Sequence, residues 1–160
     1  MTENIKKEID DLLVEAMNSE VEAKKFYLGA SQKAQSSTGK KFFQELADFE
    51  QHHYDKVKEI IESRNKGLKL ESFKSKTQKK VKSEVEGEFE PNKTEISDVL
   101  TLGIKAEKAA QERYIKIADQ INDPQGKEIF KNLAEDERRH HDLLEAQFYH
   151  ISNKGTIIWE

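Results

Sequence analysis

The sequence contains no cysteine. Disulfides, thiol nucleophiles, Cys-ligated zinc and Cys-ligated iron–sulfur centres are therefore excluded, and a reducing compartment, the cytoplasm, is expected. Proline is nearly absent, at 2 of 160 residues, and glycine occurs 7 times. So few breakers leave long uninterrupted stretches, which suit long helices and disfavour a turn-rich β-sandwich. No apolar run approaches the roughly 18 residues that crossing a bilayer needs, so no membrane partner is expected. The start, Met1-Thr2-Glu3-Asn4, lacks a basic segment followed by an apolar one, so no secretory signal is expected. A net charge of -4 offers no basic footprint for a nucleic acid. The length is that of one domain.

Hydrophobic residues make up 35% of the chain and charged residues 36%, a polar balance for a globular protein. The apolar residues nevertheless recur at helical steps, which separates the chain from a disordered one. Four amphipathic segments result. The first runs from about Glu3 to Ala34 on Ile5, Ile9, Leu12, Leu13, Ala16, Ala23, Tyr27 and Ala30. The second, about Thr38 to Ser63, carries Phe42, Phe43, Leu46, Phe49, Val57, Ile60 and Ile61. The third, about Glu95 to Ile121, carries Val99, Leu100, Ile104, Ala110, Tyr114, Ile117 and Ile121. The fourth, about Gln125 to Ile151, carries Ile129, Phe130, Leu133, Leu143, Leu144 and Phe148.

Ser36 or Ser37 is placed to cap the second helix. Asp123 is placed to cap the fourth, with Pro124 at its first position, where a missing N–H costs nothing. The joints are short, and short joints make antiparallel neighbours, so two helical hairpins are expected. Between them, residues 64–94 read as a long crossover with a basic stretch, Lys74 to Lys80, best read as a solvated loop. The bundle is expected over residues 1–151. The tail, residues 152–160, ends in Ile157-Ile158-Trp159 and is expected to dock on a surface or on a second subunit.

The two hairpins are copies of one pattern, offset by 87 residues. Leu13 maps to Leu100, Glu20 to Glu107, Ala23 to Ala110 and Tyr27 to Tyr114. Phe43 then maps to Phe130, Glu50 to Glu137 and His53 to His140, with no gap. Amphipathic helices align by chance at Leu and Ala, but not at polar residues on their apolar faces. A site on the axis relating the halves would receive matched ligands from each.

Seven residues make about two helical turns, so Glu20 shares a face with Tyr27, and Glu107 with Tyr114. Each Glu lies within an apolar stripe, where a bare carboxylate costs several kcal/mol, roughly, unless it meets a cation or a donor. Glu50 with His53 and Glu137 with His140 form two Glu-x-x-His pairs, each on one face one turn apart. Four carboxylates and two imidazoles thus converge from four helices, and two divalent ions would balance the four charges. Oxygen and imidazole donors without sulfur suit iron or manganese and tolerate zinc. Salt bridges with Lys or Arg are the alternative, but neither lies one turn away on the same face in both halves. One such Glu on each of two helices, and Glu-x-x-His on the others, is the di-metal pattern of ferritin-like bundles.

On these motifs, Glu20-x6-Tyr27, Glu50-x2-His53, Glu107-x6-Tyr114 and Glu137-x2-His140, the sequence resembles the rubrerythrin branch of the ferritin-like superfamily over roughly Ile5 to Ile151. The resemblance implies an all-α, ferritin-like four-helix bundle around two iron ions, often dimeric, that reduces hydrogen peroxide to water. It implies metal ligation by Glu20, Glu50, His53, Glu107, Glu137 and His140, with Glu50 and Glu137 bridging. It implies that Tyr27 and Tyr114 donate hydrogen bonds to ligand carboxylates. Rubrerythrins usually carry a further carboxylate three residues after the third-helix Glu; here that position is Ala110, with repeat mate Ala23. The six-ligand set that remains also looks like that of bacterioferritin-type oxidase centres. With no Cys in the sequence, the family's four-Cys rubredoxin-like domain is not expected, and a reductase cycle is expected to draw on an external donor such as a rubredoxin-like protein.

Three functions follow as expectations: a di-iron peroxidase, a ferroxidase or iron-handling protein oxidised by dioxygen, and a non-catalytic metal-binding or regulatory bundle. His52, His141 and His150 have no repeat partners of their own type and are expected at the solvated surface.

Overall fold

In a computed structural model the described residues are 2–67, 88–154 and 157–159. They form α1 (Thr2–Lys33), α2 (Ser37–Lys66), β1 (Glu88–Glu90), α3 (Lys93–Gln120), α4 (Pro124–Lys154) and β2 (Ile157–Trp159). The helices are those the periodicity predicts, with ends displaced by one to three residues. The architecture is an all-α four-helix bundle, α1 packed on α2, α3 on α4, and the hairpins joined along α1 and α3. No described helix is long and apolar enough to cross a membrane. The basic stretch Lys74 to Lys80 lies outside the described residues.

The caps act through ordinary backbone chemistry. Ser36 Oγ accepts from the Gly39 N–H at 2.9 Å, satisfying one of the donors left free at the start of α2. Asp123 does the same for α4, accepting from the Gln125 N–H at 3.1 Å. α2 ends at Gly67, whose φ of 68° is the left-handed conformation that glycine reaches without strain.

The crossover ends in a feature the periodicity does not reveal. β1 pairs antiparallel with β2, Phe89 opposite Ile158, so the tail returns to the crossover of its own chain. That is the surface the tail docks on. Three-residue strands are too short to show a period of two. Next to β1, buried Glu90 accepts from the Gln35 and Ser36 N–H groups at 2.7 and 3.0 Å and from the Ser36 hydroxyl at 2.5 Å. One carboxylate thus ties the crossover to the α1–α2 turn.

Two apolar clusters fill the bundle. One gathers Leu13, Val57, Ile60, Ile117, Phe130 and Leu133; the other gathers Phe42, Phe43, Leu46, Ile96, Leu100 and Leu144. Side chains of this size each contribute about 1.5–3 kcal/mol when fully buried. Phe148, expected in the α4 stripe, is 37% exposed, while Gln147 is buried instead. Successive inner positions Leu133, Glu137, His140, Leu144 and Gln147 step by three and four, which leaves Phe148 one position off the buried line.

Candidate metal centre

Between the apolar clusters lies a polar layer. On α1, Glu20 sits between Leu13 and Tyr27; on α3, Glu107 sits between Leu100 and Tyr114. On α2 and α4, Glu50 and Glu137 follow Leu46 and Leu133 by one helical turn. The helical steps that bury the flanking residues bury these as well: Glu20, Glu50, His53, Glu107, Glu137 and His140 are each at most 3% exposed.

All six converge. Glu20, Glu50, His53 and Glu137 offer ligand atoms within 4.8 Å of one another, and so do Glu50, Glu107, Glu137 and His140. The two quartets share Glu50 and Glu137, one from each half of the repeat. His53 Nδ1 lies 2.5 Å from Glu137 and 3.9 Å from both Glu20 and Glu50. His140 Nδ1 lies 3.1 Å from Glu50, 3.7 Å from Glu107 and 3.9 Å from Glu137.

The tyrosines brace the layer crosswise. Tyr27 of α1 donates its hydroxyl to Glu107 of α3 at 2.5 Å, and Tyr114 of α3 donates to Glu20 of α1 at 2.5 Å. Burial, followed by the facing carboxylate, pushes both hydroxyls well above the usual tyrosine range, which keeps each a donor.

Four buried carboxylates in one layer repel. Burial, reinforced by neighbouring carboxylates, pushes Glu20, Glu50 and Glu137 well above the usual carboxylate range. Burial acts on Glu107 in the same direction, but the charge and hydrogen bond of His140 outweigh it and hold that carboxyl at about 2. One oxygen each of Glu20, Glu50 and Glu107, Oε2 in every case, is buried without a hydrogen-bond partner. Orphaned carboxylate oxygens facing one another fit cations between them, and oxygen and imidazole donors fit iron or manganese.

Two residues the repeat conceals complete the layer. Asp136 is buried and lies 3.0 Å from His53 Nε2, on the far side of the ring from the carboxylates; it also accepts from Arg139 at 3.2 Å. Its repeat mate is Phe49, whose ring packs on His140 with centroids 4.9 Å apart. Comparing the halves hides Asp136, since an acidic residue has an aromatic partner there. The i, i+3, i+4, i+7 run of Leu133, Asp136, Glu137 and His140 is the signal that places it on the inner face. His52, His141 and His150 are half-buried rather than fully solvated and stand outside both quartets. His141 lies 3.3 Å from both Asp142 and Glu145, the exposed neighbours of its own helix.

A cleft of about 780 Å³ opens between α1 and α3. Glu20, Glu50, Glu107 and Glu137 line it, together with Ala23, Phe26, Ala106 and Ala110. Ala23 and Ala110 therefore flank open space beside the carboxylates.

A family model described as Rubrerythrin matches residues 11–148. The chain belongs to the rubrerythrin family. Its matched span contains all six converging residues and both tyrosines. Among solved structures, a hypothetical protein from Pyrococcus furiosus is similar in fold, with a TM-score of 0.69 over 91% of each chain at 22% identity. No curated protein matches the sequence. As a rubrerythrin-family bundle with a buried Glu/His cluster that can hold metal, the chain has the makings of a di-iron protein.

Proposed function

We propose that this rubrerythrin-family protein is a non-haem di-iron peroxidase that reduces hydrogen peroxide to water. The observation that carries the reading is the pair of buried quartets sharing Glu50 and Glu137. Glu20 and His53 would hold one ion, Glu107 and His140 the other, and Glu50 and Glu137 both; manganese or zinc could take the same donors. Bound there, a reducible metal pair supplies two electrons and Lewis acidity to an O–O bond.

The chain's own residues set the conditions. Tyr27 and Tyr114 hold Glu107 and Glu20 by their hydroxyls, which limits the directions the carboxylates can take. Asp136 fixes the ring of His53 from behind. The apolar clusters above and below keep water from two sides of the layer, which strengthens the charge interactions inside it. Protons reach the site through the α1–α3 cleft, the wet side of the layer. With no cysteine in the chain, electrons come from an external carrier such as a rubredoxin-like protein. A homodimer in the cytoplasm belongs to the same proposal.

A second reading, ferroxidase or iron handling, is favoured by one observation: Ala110 and Ala23 line the cleft where a fifth carboxylate ligand would stand. Stopped-flow oxidation of the iron(II)-loaded protein separates the two. Faster oxidation by peroxide than by dioxygen supports the peroxidase; faster oxidation by dioxygen, or reaction with neither, rejects it. Particle size by light scattering then distinguishes a dimer from a storage shell.

A further inference from the structure

We infer that the α1–α3 cleft is a binding site for the organic part of a hydroperoxide, so that the preferred oxidant is an organic hydroperoxide with an apolar body. The inference rests on the peroxidase reading and deepens it. Hydrogen peroxide is hardly larger than water and needs only a narrow passage. A cleft of about 780 Å³ is in the range of small-molecule sites. Its lining includes half-buried Ala23, Phe26 and Ala110 and the exposed Val14 and Leu102, alongside charged side chains such as Glu15 and Arg113. Apolar walls of this kind gain nothing from peroxide but bury an aryl or alkyl group favourably. The cleft is also lined by Glu20, Glu50 and Glu107, each with one buried oxygen lacking a partner, so the reacting end of a bound molecule is directed to the polar layer. Ala23 and Ala110 line the same cleft as the four carboxylates, so a longer side chain at either position would take up part of its space.

The reaction balances as ROOH + 2 e⁻ + 2 H⁺ → ROH + H₂O. The O–O bond breaks, two electrons come from the external one-electron carrier in two turns, and two protons come from water at the cleft mouth.

The probes are cumene hydroperoxide and its redox-inert product, 2-phenyl-2-propanol. Saturation-transfer NMR with the zinc-loaded protein should show saturable binding of the alcohol, weakened about tenfold or more in Ala110→Phe. With the iron-loaded protein and reduced rubredoxin, the ratio of kcat/KM for cumene hydroperoxide to that for hydrogen peroxide should exceed one and fall about tenfold in the same variant. Ala106→Phe repeats the test from the next turn of α3, with metal content and helicity checked in both variants. Absence of alcohol binding overturns the inference, including the case in which a second copy of the chain covers the cleft. A loss of both oxidants in equal proportion overturns it too. If neither peroxide reacts, the peroxidase reading fails, and alcohol binding alone then decides the fate of the cleft.

Discussion

His53 and Asp136 meet across the bundle, Nε2 to carboxylate, at 3.0 Å, while the symmetry-related His140 has the ring of Phe49 beside it. The halves supply matched donors to the centre but unmatched support behind them. A carboxylate behind a ligating imidazole orients the ring and raises its basicity, and losing it typically costs about 10–100-fold in metal affinity.

Asp136→Asn should therefore weaken one of the two ions and spare the other. Cobalt(II) titration of the metal-free protein, followed by visible absorption, reads both steps. Two steps left unchanged by the substitution would remove Asp136 from the centre. Phe49→Asp, which makes the halves alike, should draw the two steps together.

Glu50 belongs to both quartets, so Glu50→Gln should abolish binding of the metal pair and with it peroxide reactivity. In the metal-free protein the same change relieves repulsion among buried carboxylates and should leave stability unchanged or raise it at pH 8. Urea unfolding with and without metal measures both effects. A large loss of metal-free stability would mean that Glu50 is a structural residue.

Acid and metal compete for the same oxygens. Glu20, Glu50 and Glu137 have raised carboxyls in the folded protein, so the folded state binds more protons than the unfolded one above the ordinary carboxylate range. Their contribution to metal-free stability is fully present below the unfolded carboxylate pKa and is lost as pH rises through the raised folded values. Glu107, held at about 2, acts oppositely and loses its contribution only in strong acid. The Tm of the metal-free protein should thus fall between pH 5 and pH 8, three carboxylates outweighing one. Metal binding displaces those protons, so metal affinity should rise over the same interval. A Tm that climbs with pH in the absence of metal contradicts the assignment.

Tyr27→Phe removes a buried donor from Glu107 and adds nothing in its place. A hydrogen bond to a charged group contributes about 1.5–3 kcal/mol, and a loss of that order is expected by urea unfolding. Tyr114→Phe should cost less, about 0.5–1.5 kcal/mol, because Glu20, pushed well above the usual carboxylate range, accepts as a neutral carboxyl. Losses below about 0.5 kcal/mol in both variants would show that water from the α1–α3 cleft takes the place of the hydroxyls.

Glu90 holds the α1–α2 turn by two backbone N–H groups and one hydroxyl. Glu90→Ala should destabilise the protein by about 2–4 kcal/mol through these unpaired groups, with metal stoichiometry retained. Chemical unfolding and metal analysis of the same preparation check the pair of outcomes.

By itself the sequence determined the helices, the hairpins and the six converging residues. The reason is that helical period, scarcity of breakers and a repeat at fixed offset are local and arithmetical, and a carboxylate at Glu20 or Glu107 inside an apolar stripe is costly enough to announce itself. The tertiary structure alone decided which atoms meet. Tyr27 reaches the other hairpin's Glu107 rather than its own Glu20, because α1 and α3 lie side by side across the layer. Asp136 backs His53 from a position whose repeat mate is Phe49, Glu90 ties a turn more than fifty residues away in the chain, and the tail pairs with the crossover. The cleft beside Ala23 and Ala110 exists only once two helices stand apart. Such contacts depend on how helices are rotated and spaced against one another, and no periodicity within a single helix carries that information.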